Sequence, residues 1–311
     1  MKHLNHEKFN RFNFWFLTLF LMNCSLGFHK EIKISKTIPS ICFDSLSDLD
    51  YFAPKDNLSS EDYNKLKKHL SSRAISIASD LSVEKDIIQF LVNKDISEKQ
   101  KISKKIHDRI HLSYMELSSM LAIADCERDR AIQFASHLDM VSAKNINDLS
   151  IKSLLSTVMG TTFAASFELA GLTNQAYLGV DVFFAFLSGY FALQAFNLST
   201  VGDYRHEKNL LREIKENPEN SKYFYNSVWN FLTNKNYPGE LPEREEIINI
   251  WYKDGMKDED ENLLFSEGGS YNAIQVYKRV HMLDTLKTRM SYMKLELRLL
   301  TEELNQLEKN F

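Results

Sequence analysis

The stretch LLSTVMGTTFAASFELAGL (Leu154–Leu172) and the stretch AYLGVDVFFAFLSGYFALQAFNL (Ala176–Leu198) are two long apolar segments on either side of the polar triplet Thr173-Asn174-Gln175. As helices, each would be roughly 30 Å long, which matches the hydrocarbon core of a bilayer. The connection is short enough to hold the two helices antiparallel. The sequence therefore predicts an apolar helical hairpin within residues 151–199, long enough to cross a membrane.

Small residues recur every four positions on both arms of this hairpin. The rows are Ser156, Gly160 and Ala164 on the first arm, and Ala185 and Gly189 on the second. Each row ends at an acid, which is Glu168 on the first arm and Asp181 on the second. Such spacing resembles the small-residue contacts through which membrane helices approach closely. The pattern predicts that the two rows pack against each other.

The two acids, Glu168 and Asp181, lie at similar distances from Asn174, so equal depth in the hairpin is expected. One interpretation is that they face each other and share a proton or bind a cation in a conducting element. A second is that they reach toward the membrane surface near the turn and have no further role. A third is that the hairpin is not in lipid and lies buried between soluble helices.

Residues 1–24 have the layout of a signal peptide, with a basic start, an apolar core from Phe14 to Met22, and Cys24. Leu21-Met22-Asn23-Cys24 is similar to a bacterial lipobox, although Asn23 stands where a small residue is usual. Lipidation at Cys24, an ordinary cleaved signal and a short anchor remain alternatives. Export predicts a location on the periplasmic side of the bacterial cell envelope. Basic residues flank the hairpin, and the positive-inside rule opposes that orientation.

After a linker predicted at residues 25–60, residues 61–150 form the next region, which contains no proline or glycine between Glu61 and Asn147. This composition and a helical spacing of apolar residues predict a long amphipathic helix, or two in series with a break near residues 93–97. Residues 200–270 read as a small helical region with loops, with helices near 204–215, 221–234 and 242–253.

The C-terminal region, residues 271–311, carries a heptad repeat that runs from Val276 to Phe311 and is interrupted only by Arg279. A heptad repeat of this length predicts a coiled coil or a long bundle helix whose apolar seam must be covered. The helix around residues 102–141 is the nearest candidate to cover it, and a homo-oligomeric coiled coil is the alternative.

Composition excludes some classes of function. The 311-residue chain has a net charge of −4 with both signs interspersed, which argues against a nucleic-acid partner. Three cysteines at scattered positions are too few for a disulfide framework or a zinc site. His107 and His111 in HDRIH stand at i and i+4, but Asp108 replaces the glutamate of a zincin motif and a third ligand is not evident. We expect no cofactor.

Several motifs together carry a resemblance. They are the lipobox-like start, ADCERDRAIQFASHLD at 124–139, the apolar hairpin, NSVWNFL at 226–232, and LLFSEGGSY at 263–271 before the heptad helix. They resemble an uncharacterised family of exported, membrane-associated proteins from Bacteroidetes-type bacteria. The resemblance implies an envelope location and a mostly helical fold, and it carries no activity.

These observations predict an all-α protein of long antiparallel helices with a central apolar hairpin. The expected function is that of a non-enzymatic, membrane-associated envelope scaffold or interaction protein, with a second copy or a helical protein as partner. The first alternative is an oligomeric ion- or solute-conducting element that uses Glu168 and Asp181. The second is a metal-dependent hydrolase that uses His107 and His111.

Overall fold

The computed structural model describes residues 30–34, 42, 59–170, 174–234 and 241–309. The predicted signal segment with Cys24 lies outside these residues, as do most of the predicted linker and Phe311. The chain divides into two compact units. The hairpin unit comprises residues 1–35 and 136–202, and the bundle unit comprises residues 36–135 and 203–311.

The described residues form ten helices and one small three-stranded sheet. Because the chain is mostly helical, the all-α prediction is confirmed. The helices are α1 (Ser60–Lys67), α2 (Ser72–Asp80), α3 (Glu84–Val92), α4 (Ile96–Leu169), α5 (Asn174–Phe196), α6 (Leu210–Glu216), α7 (Asn226–Thr233), α8 (Glu243–Lys253), α9 (Asp258–Leu264) and α10 (Ala273–Lys309). The strands are β1 (Lys30–Ile34), β2 (Leu198–Arg205) and β3 (Gly268–Asn272). Helix α4 and strand β2 each contribute residues to both units.

In the bundle unit, the heptad helix α10 runs antiparallel to α4. Lys287 Nζ lies 2.5 Å from Asp125 Oδ1, and toward the other end His107 Nε2 lies 3.1 Å from Glu308 Oε1. The apolar seam of α10 is buried along its length: Val276, Leu283, Leu286, Met290, Met293, Leu297, Leu300, Leu304 and Leu307. The predicted pairing of the heptad helix with the long helix is therefore confirmed.

The seam of α10 also packs against shorter helices, so the bundle unit is more than a two-stranded coiled coil. Helix α2 is one neighbour, and Ser71 N donates to Glu303 Oε2 at 2.8 Å where α2 begins. Helix α8 is another, and the indole of Trp251 donates to the Met282 carbonyl at 3.2 Å. Burying one apolar seam against several partners removes more of it from water than a single partner could.

The region before α4 differs from the prediction of one or two long helices. It forms three short helices, because Ser59 and Ser71 accept hydrogen bonds as N-caps of α1 and α2, and Ser82 has φ 58° between α2 and α3. The predicted break near 93–97 is confirmed, since α3 ends at Val92 and α4 begins at Ile96. Helix α9 (Asp258–Leu264) was not among the predicted helices of residues 200–270.

The sheet was not predicted. Strand β1 pairs in parallel with β2, with Lys30 opposite Leu198 and Ile34 opposite Gly202, and β3 lies beside β2. Gly268, at the start of β3, has φ 129°, and a Cβ added there would lie 2.4 Å from the Tyr204 carbonyl oxygen. Only glycine allows that conformation and that close approach together. Gly268 and Gly269, in the LLFSEGGSY motif, therefore lie in strand β3.

Candidate functional site

The hairpin unit contains the predicted hairpin, built from the end of α4 and from α5. Two contacts fix how these helices align: Thr157 Oγ1 lies 2.8 Å from Ser188 Oγ, and the ring of Phe163 stacks on that of Phe184 at 5.9 Å between centroids. The alignment is antiparallel, because the residue number rises on one helix as it falls on the other. Helix α4 ends at Leu169 and helix α5 begins at Asn174, which is inside the predicted polar triplet.

Hydroxyl groups join the two helices. Ser153 Oγ donates to the Ser188 carbonyl at 2.9 Å and lies 3.0 Å from Ser188 Oγ, while Thr157 Oγ1 approaches the same hydroxyl. Hydrogen bonds between helices through serine and threonine are a common feature of membrane-embedded helix pairs. Neither Ser153 nor Ser188 was identified from the sequence.

Gly160 is the point of closest approach between the helices. A Cβ added at Gly160 would lie 2.6 Å from Phe184 Cβ, so the absent side chain makes room for this phenylalanine. Ser156, one turn earlier in α4, is also buried, and Ala164 is half-buried. The predicted row of small residues on the first arm therefore does face the second arm.

The predicted row on the second arm is wrong. Ala185 is exposed, and a Cβ added at Gly189 would meet no neighbouring atom within 4 Å, so neither residue packs against α4. Phe184 occupies the contact in their place. A large ring against a glycine fills the space between two helices as well as two small residues do, and the sequence pattern alone does not distinguish the two arrangements.

The acids do not meet across the contact. Glu168 and Asp181 are both exposed, and within the described residues neither carboxylate takes part in a hydrogen bond or an ion pair. The alignment places Asp181 opposite Ala164, about one helical turn or ~6 Å along the axis from Glu168. The prediction of equal depth is therefore wrong, because α5 begins earlier than the polar triplet indicated.

Much of the outer surface of the hairpin is apolar. Large apolar side chains that lie exposed on its two arms are Ile151, Leu154, Leu155, Val158, Met159, Phe163 and Leu169 on α4, and Leu178, Val182, Phe183, Leu193 and Phe196 on α5. Among the described residues, one helix, Leu178–Phe196, is long and apolar enough to cross a membrane, and none of that window is buried. The alternative that the hairpin is buried between soluble helices is contradicted by this exposure.

One prediction tests the contact at Gly160. We expect Gly160→Leu to lower the free energy of unfolding in detergent by about 2 kcal/mol, because the new side chain collides with Phe184 in a packed site. Gly179→Leu is the matched control, since a Cβ at Gly179 meets nothing within 4 Å. Thermal unfolding followed by circular dichroism measures both. Adding Phe184→Ala to Gly160→Leu should restore stability, and a failure to restore it would contradict the contact.

The bundle unit holds a buried polar cluster that sequence reasoning missed. Arg279, 1% exposed, donates from one terminal nitrogen to Asn209 Oδ1 and to the Leu264 carbonyl, each at 3.1 Å. Asn209 also caps α6 by accepting from Leu211 N at 3.2 Å. The interruption of the heptad repeat at Arg279 was the signal that could have found this cluster, because a charged seam residue requires buried partners.

His206 and Tyr271 belong to the same cluster, and their hydrogen bonds determine which nitrogen of His206 carries a proton. The Tyr271 hydroxyl donates to the Leu263 carbonyl at 2.7 Å, so it accepts from His206 Nε2–H, which is also 2.7 Å away. The other ring nitrogen, Nδ1, has no hydrogen-bond partner among the described residues, which favours the tautomer that carries the proton on Nε2. Burial lowers the pKa of His206 to about 2, and the charge of Arg279 adds to that effect.

A second part of the cluster surrounds Tyr204. The guanidinium of Arg130 lies 4.8 Å from the centre of the Tyr204 ring and pairs with Glu127 at 2.8 Å, in an ion pair that is almost fully buried. Burial raises the pKa of Tyr204 and places that of Tyr271 well above its usual range. The side chains of these groups are enclosed in the folded chain. Their role is to hold β2, β3 and the helices together.

A disulfide joins Cys42 to Cys126 on α4, with 5.7 Å between the Cα atoms. The scattered cysteines argued only against a disulfide framework, and this single bond was not anticipated. The two residues are 84 positions apart, and spacing along the chain carries no information about a contact that the tertiary fold creates. Cys126 is therefore a half-cystine in the fold.

The HDRIH histidines have separate surroundings. His107 lies beside Glu308 on α10, as given above, whereas His111 is exposed. Within the described residues, no group of three or more histidine, cysteine, aspartate or glutamate side chains is arranged to hold a metal ion.

Comparison of the chain with protein-family models, with curated proteins and with solved structures finds no match.

Proposed function

We propose that this chain is a non-enzymatic, membrane-associated scaffold or interaction protein of the bacterial cell envelope. The observation that carries the proposal is the hairpin of α4 and α5, whose polar contacts lie between the helices while its large apolar side chains lie outside. A soluble protein rarely exposes a contiguous apolar surface of this kind, whereas a lipid bilayer covers it at no cost.

Two observations support a location outside the cytoplasm. The first is the signal-like segment at residues 1–24, with Cys24 as a candidate for lipidation. The second is the bond between Cys42 and Cys126, because structural disulfides persist in oxidising compartments such as the periplasm. Together they favour export, with the bundle unit on the periplasmic side.

The interior of the bundle unit supports a structural role. Its buried charged and polar side chains bind one another: Arg279 binds Asn209, Arg130 binds Glu127, and Glu116 pairs with Arg109 at 3.2 Å. Such groups stabilise the arrangement of helices and cannot contact a substrate. An interaction function would use the outer surface of the bundle unit. The partner that we propose is a second copy of the chain or a helical protein.

Flotation with phosphatidylethanolamine–phosphatidylglycerol vesicles tests the membrane part of the proposal. We expect the purified chain with Cys24→Ser, which cannot be lipidated, to float with the vesicles and to resist alkaline carbonate. Val182→Lys places a charge on the exposed face of α5, where a lysine costs roughly 3 kcal/mol in a bilayer, and should remove most protein from the floating fraction.

Leu295→Lys is the matched control, because Leu295 is an apolar residue of similar exposure on α10 of the bundle unit. It should float like the parent protein. Equal flotation of the two lysine variants would contradict insertion of the hairpin, and so would release of the parent protein by carbonate.

A further inference from the structure

Strand β1 is paired with the part of the chain that leaves the hairpin. Helix α5 ends at Phe196, and Leu198, two residues later, is already opposite Lys30 in the pair of β1 and β2. Neighbouring strands lie about 5 Å apart, so Lys30 is close to the end of α5. Because the pairing is parallel, β1 begins where β2 begins, which is at the end of the hairpin.

The disulfide assigns a side of the membrane to this end of the hairpin. Cys42 is bonded to Cys126, and structural disulfides persist in oxidising compartments. Cys42 follows Ile34, the last residue of β1, by eight positions. That connection extends to about 28 Å at most, whereas a bilayer with its headgroups is roughly 40 Å thick. Strand β1, and with it the end of α5, therefore belongs on the oxidising side.

Helix α5 is long enough to reach the opposite surface from there. Its 23 residues correspond to about 34 Å, against roughly 30 Å of hydrocarbon. At the other end of the hairpin, α4 stops at Leu169, and the neighbouring Glu168 is exposed. A carboxylate one residue from the end of a helix is better accommodated at a membrane surface than in the middle of the bilayer.

We propose that the hairpin enters the membrane from the periplasmic side, with its turn at the far surface, and that β1 holds the N-terminal segment at the surface of entry. The proposal rests on the proposed function, since it requires the hairpin to lie in a membrane. Cys24 precedes Lys30 by six residues, which limits its distance from β1 to about 20 Å. A lipid on Cys24 and the hairpin would then anchor the chain side by side, and two such signals bind a membrane more stably than one.

The basic residues beside the hairpin do not exclude this orientation. The positive-inside rule is counted over short connections, whereas long domains cross a membrane largely regardless of their charge. The segments that flank the hairpin unit, residues 36–135 and 203–311, together form the bundle unit. The side of the membrane is therefore determined by export of a folded domain with a disulfide, and the few charges near the hairpin have little weight.

Cysteine reporters at the two ends of the hairpin test the orientation. Asn197→Cys marks the end that pairs with β1 and Ala170→Cys marks the turn, and both positions are exposed. Each is made in the Cys24→Ser chain, in which the other two cysteines are bonded to each other. A membrane-impermeant maleimide is applied to intact cells of a bacterial host with two membranes, to cells with a permeabilised outer membrane, and to lysed cells.

We expect labelling of Asn197→Cys to rise at least tenfold when the outer membrane is permeabilised, because this end is periplasmic. Lys33→Cys, an exposed position on β1, should follow it. Ala170→Cys should be labelled in a different step: only after lysis if the inner membrane holds the protein, or already in intact cells if the outer membrane does. Labelling of both hairpin ends in the same step, or of Asn197→Cys only after lysis, would overturn the proposal.

The strand pairing is tested separately, in the same Cys24→Ser chain. Lys33 is opposite Val201, whereas Asp203 is two residues out of register. Oxidation should bond Lys33→Cys to Val201→Cys within one chain, and it should bond Lys33→Cys to Asp203→Cys at least fivefold less, as measured by the loss of free thiols. Equal yields would contradict the pairing that places β1 at the end of α5.

The flotation experiment distinguishes failure of this inference from failure of the proposed function. A protein that floats with the vesicles but has both hairpin ends on one side of the membrane in cells overturns only the inference. A protein that does not float overturns both.

Discussion

Replacing Cys126 with serine lowers the free energy of unfolding of the bundle unit by about 4.5 kcal/mol, as expected for a bond that closes a loop of 84 residues. The bond limits the unfolded chain, and its loss lets that chain gain conformational entropy. Chemical denaturation of the purified protein, followed by tryptophan fluorescence, measures the change. The three tryptophans include Trp229 and Trp251, both buried in this unit.

Pairwise replacement distinguishes the bond from other effects of the substitution. Cys42→Ser should cost about as much as Cys126→Ser, and the double variant should cost little more than either, because each removes the same bond. Cys24→Ser is the control and should leave the denaturation curve unchanged. Additive losses in the double variant would mean that the two cysteines act separately. A stability that reducing agent does not alter would contradict the bond directly.

Acid should destabilise the bundle unit through His206. The folded chain keeps this imidazole neutral down to a pKa of about 2, whereas in the unfolded chain it takes up a proton below about pH 6.5. The unfolded state therefore binds more protons between these values, and stability falls as the pH falls. The loss attributable to His206 reaches about 3 kcal/mol at pH 4 relative to pH 7.5.

Denaturation at a series of pH values measures this loss, and His206→Gln should remove most of the added slope, since glutamine can donate to Tyr271 without titrating. His281→Gln is the control. His281 is an exposed histidine, 58% accessible, paired with Asp254 at 2.8 Å, so its replacement should leave the slope nearly unchanged. Identical pH dependence in the parent and in His206→Gln would contradict a neutral, buried imidazole.

The helical parts of the fold were predictable because the spacing of apolar residues along the chain indicates which face of a helix is buried. The seam of α10 repeats every three or four residues, and the break near 93–97 interrupts the spacing, so both could be found in the sequence. The contact face of α4 at Gly160 followed from small residues in the same way. These features depend on local order along one helix, which a sequence records directly.

Other features depend on which distant residues meet, and a single sequence does not record that. Phe184 fills the space at Gly160, although Ala185 and Gly189 had the expected spacing. The short strands β1, β2 and β3 lack a long alternating pattern, and their pairing is created by the fold. Arg279 was visible as an exception in the heptad repeat, but its partners Asn209 and Leu264 come from elsewhere in the chain.

The hydrogen bond between His206 and Tyr271 makes one imidazole proton a probe of how often the bundle unit opens locally. The Nε2–H of His206 is enclosed and bonded, so it can exchange with solvent deuterium only when the surrounding structure opens. An exposed imidazole exchanges too fast to observe by ordinary nuclear magnetic resonance, whereas this one should give a persistent, far-downfield signal. The lifetime of that signal would report how often β3 and its neighbours separate.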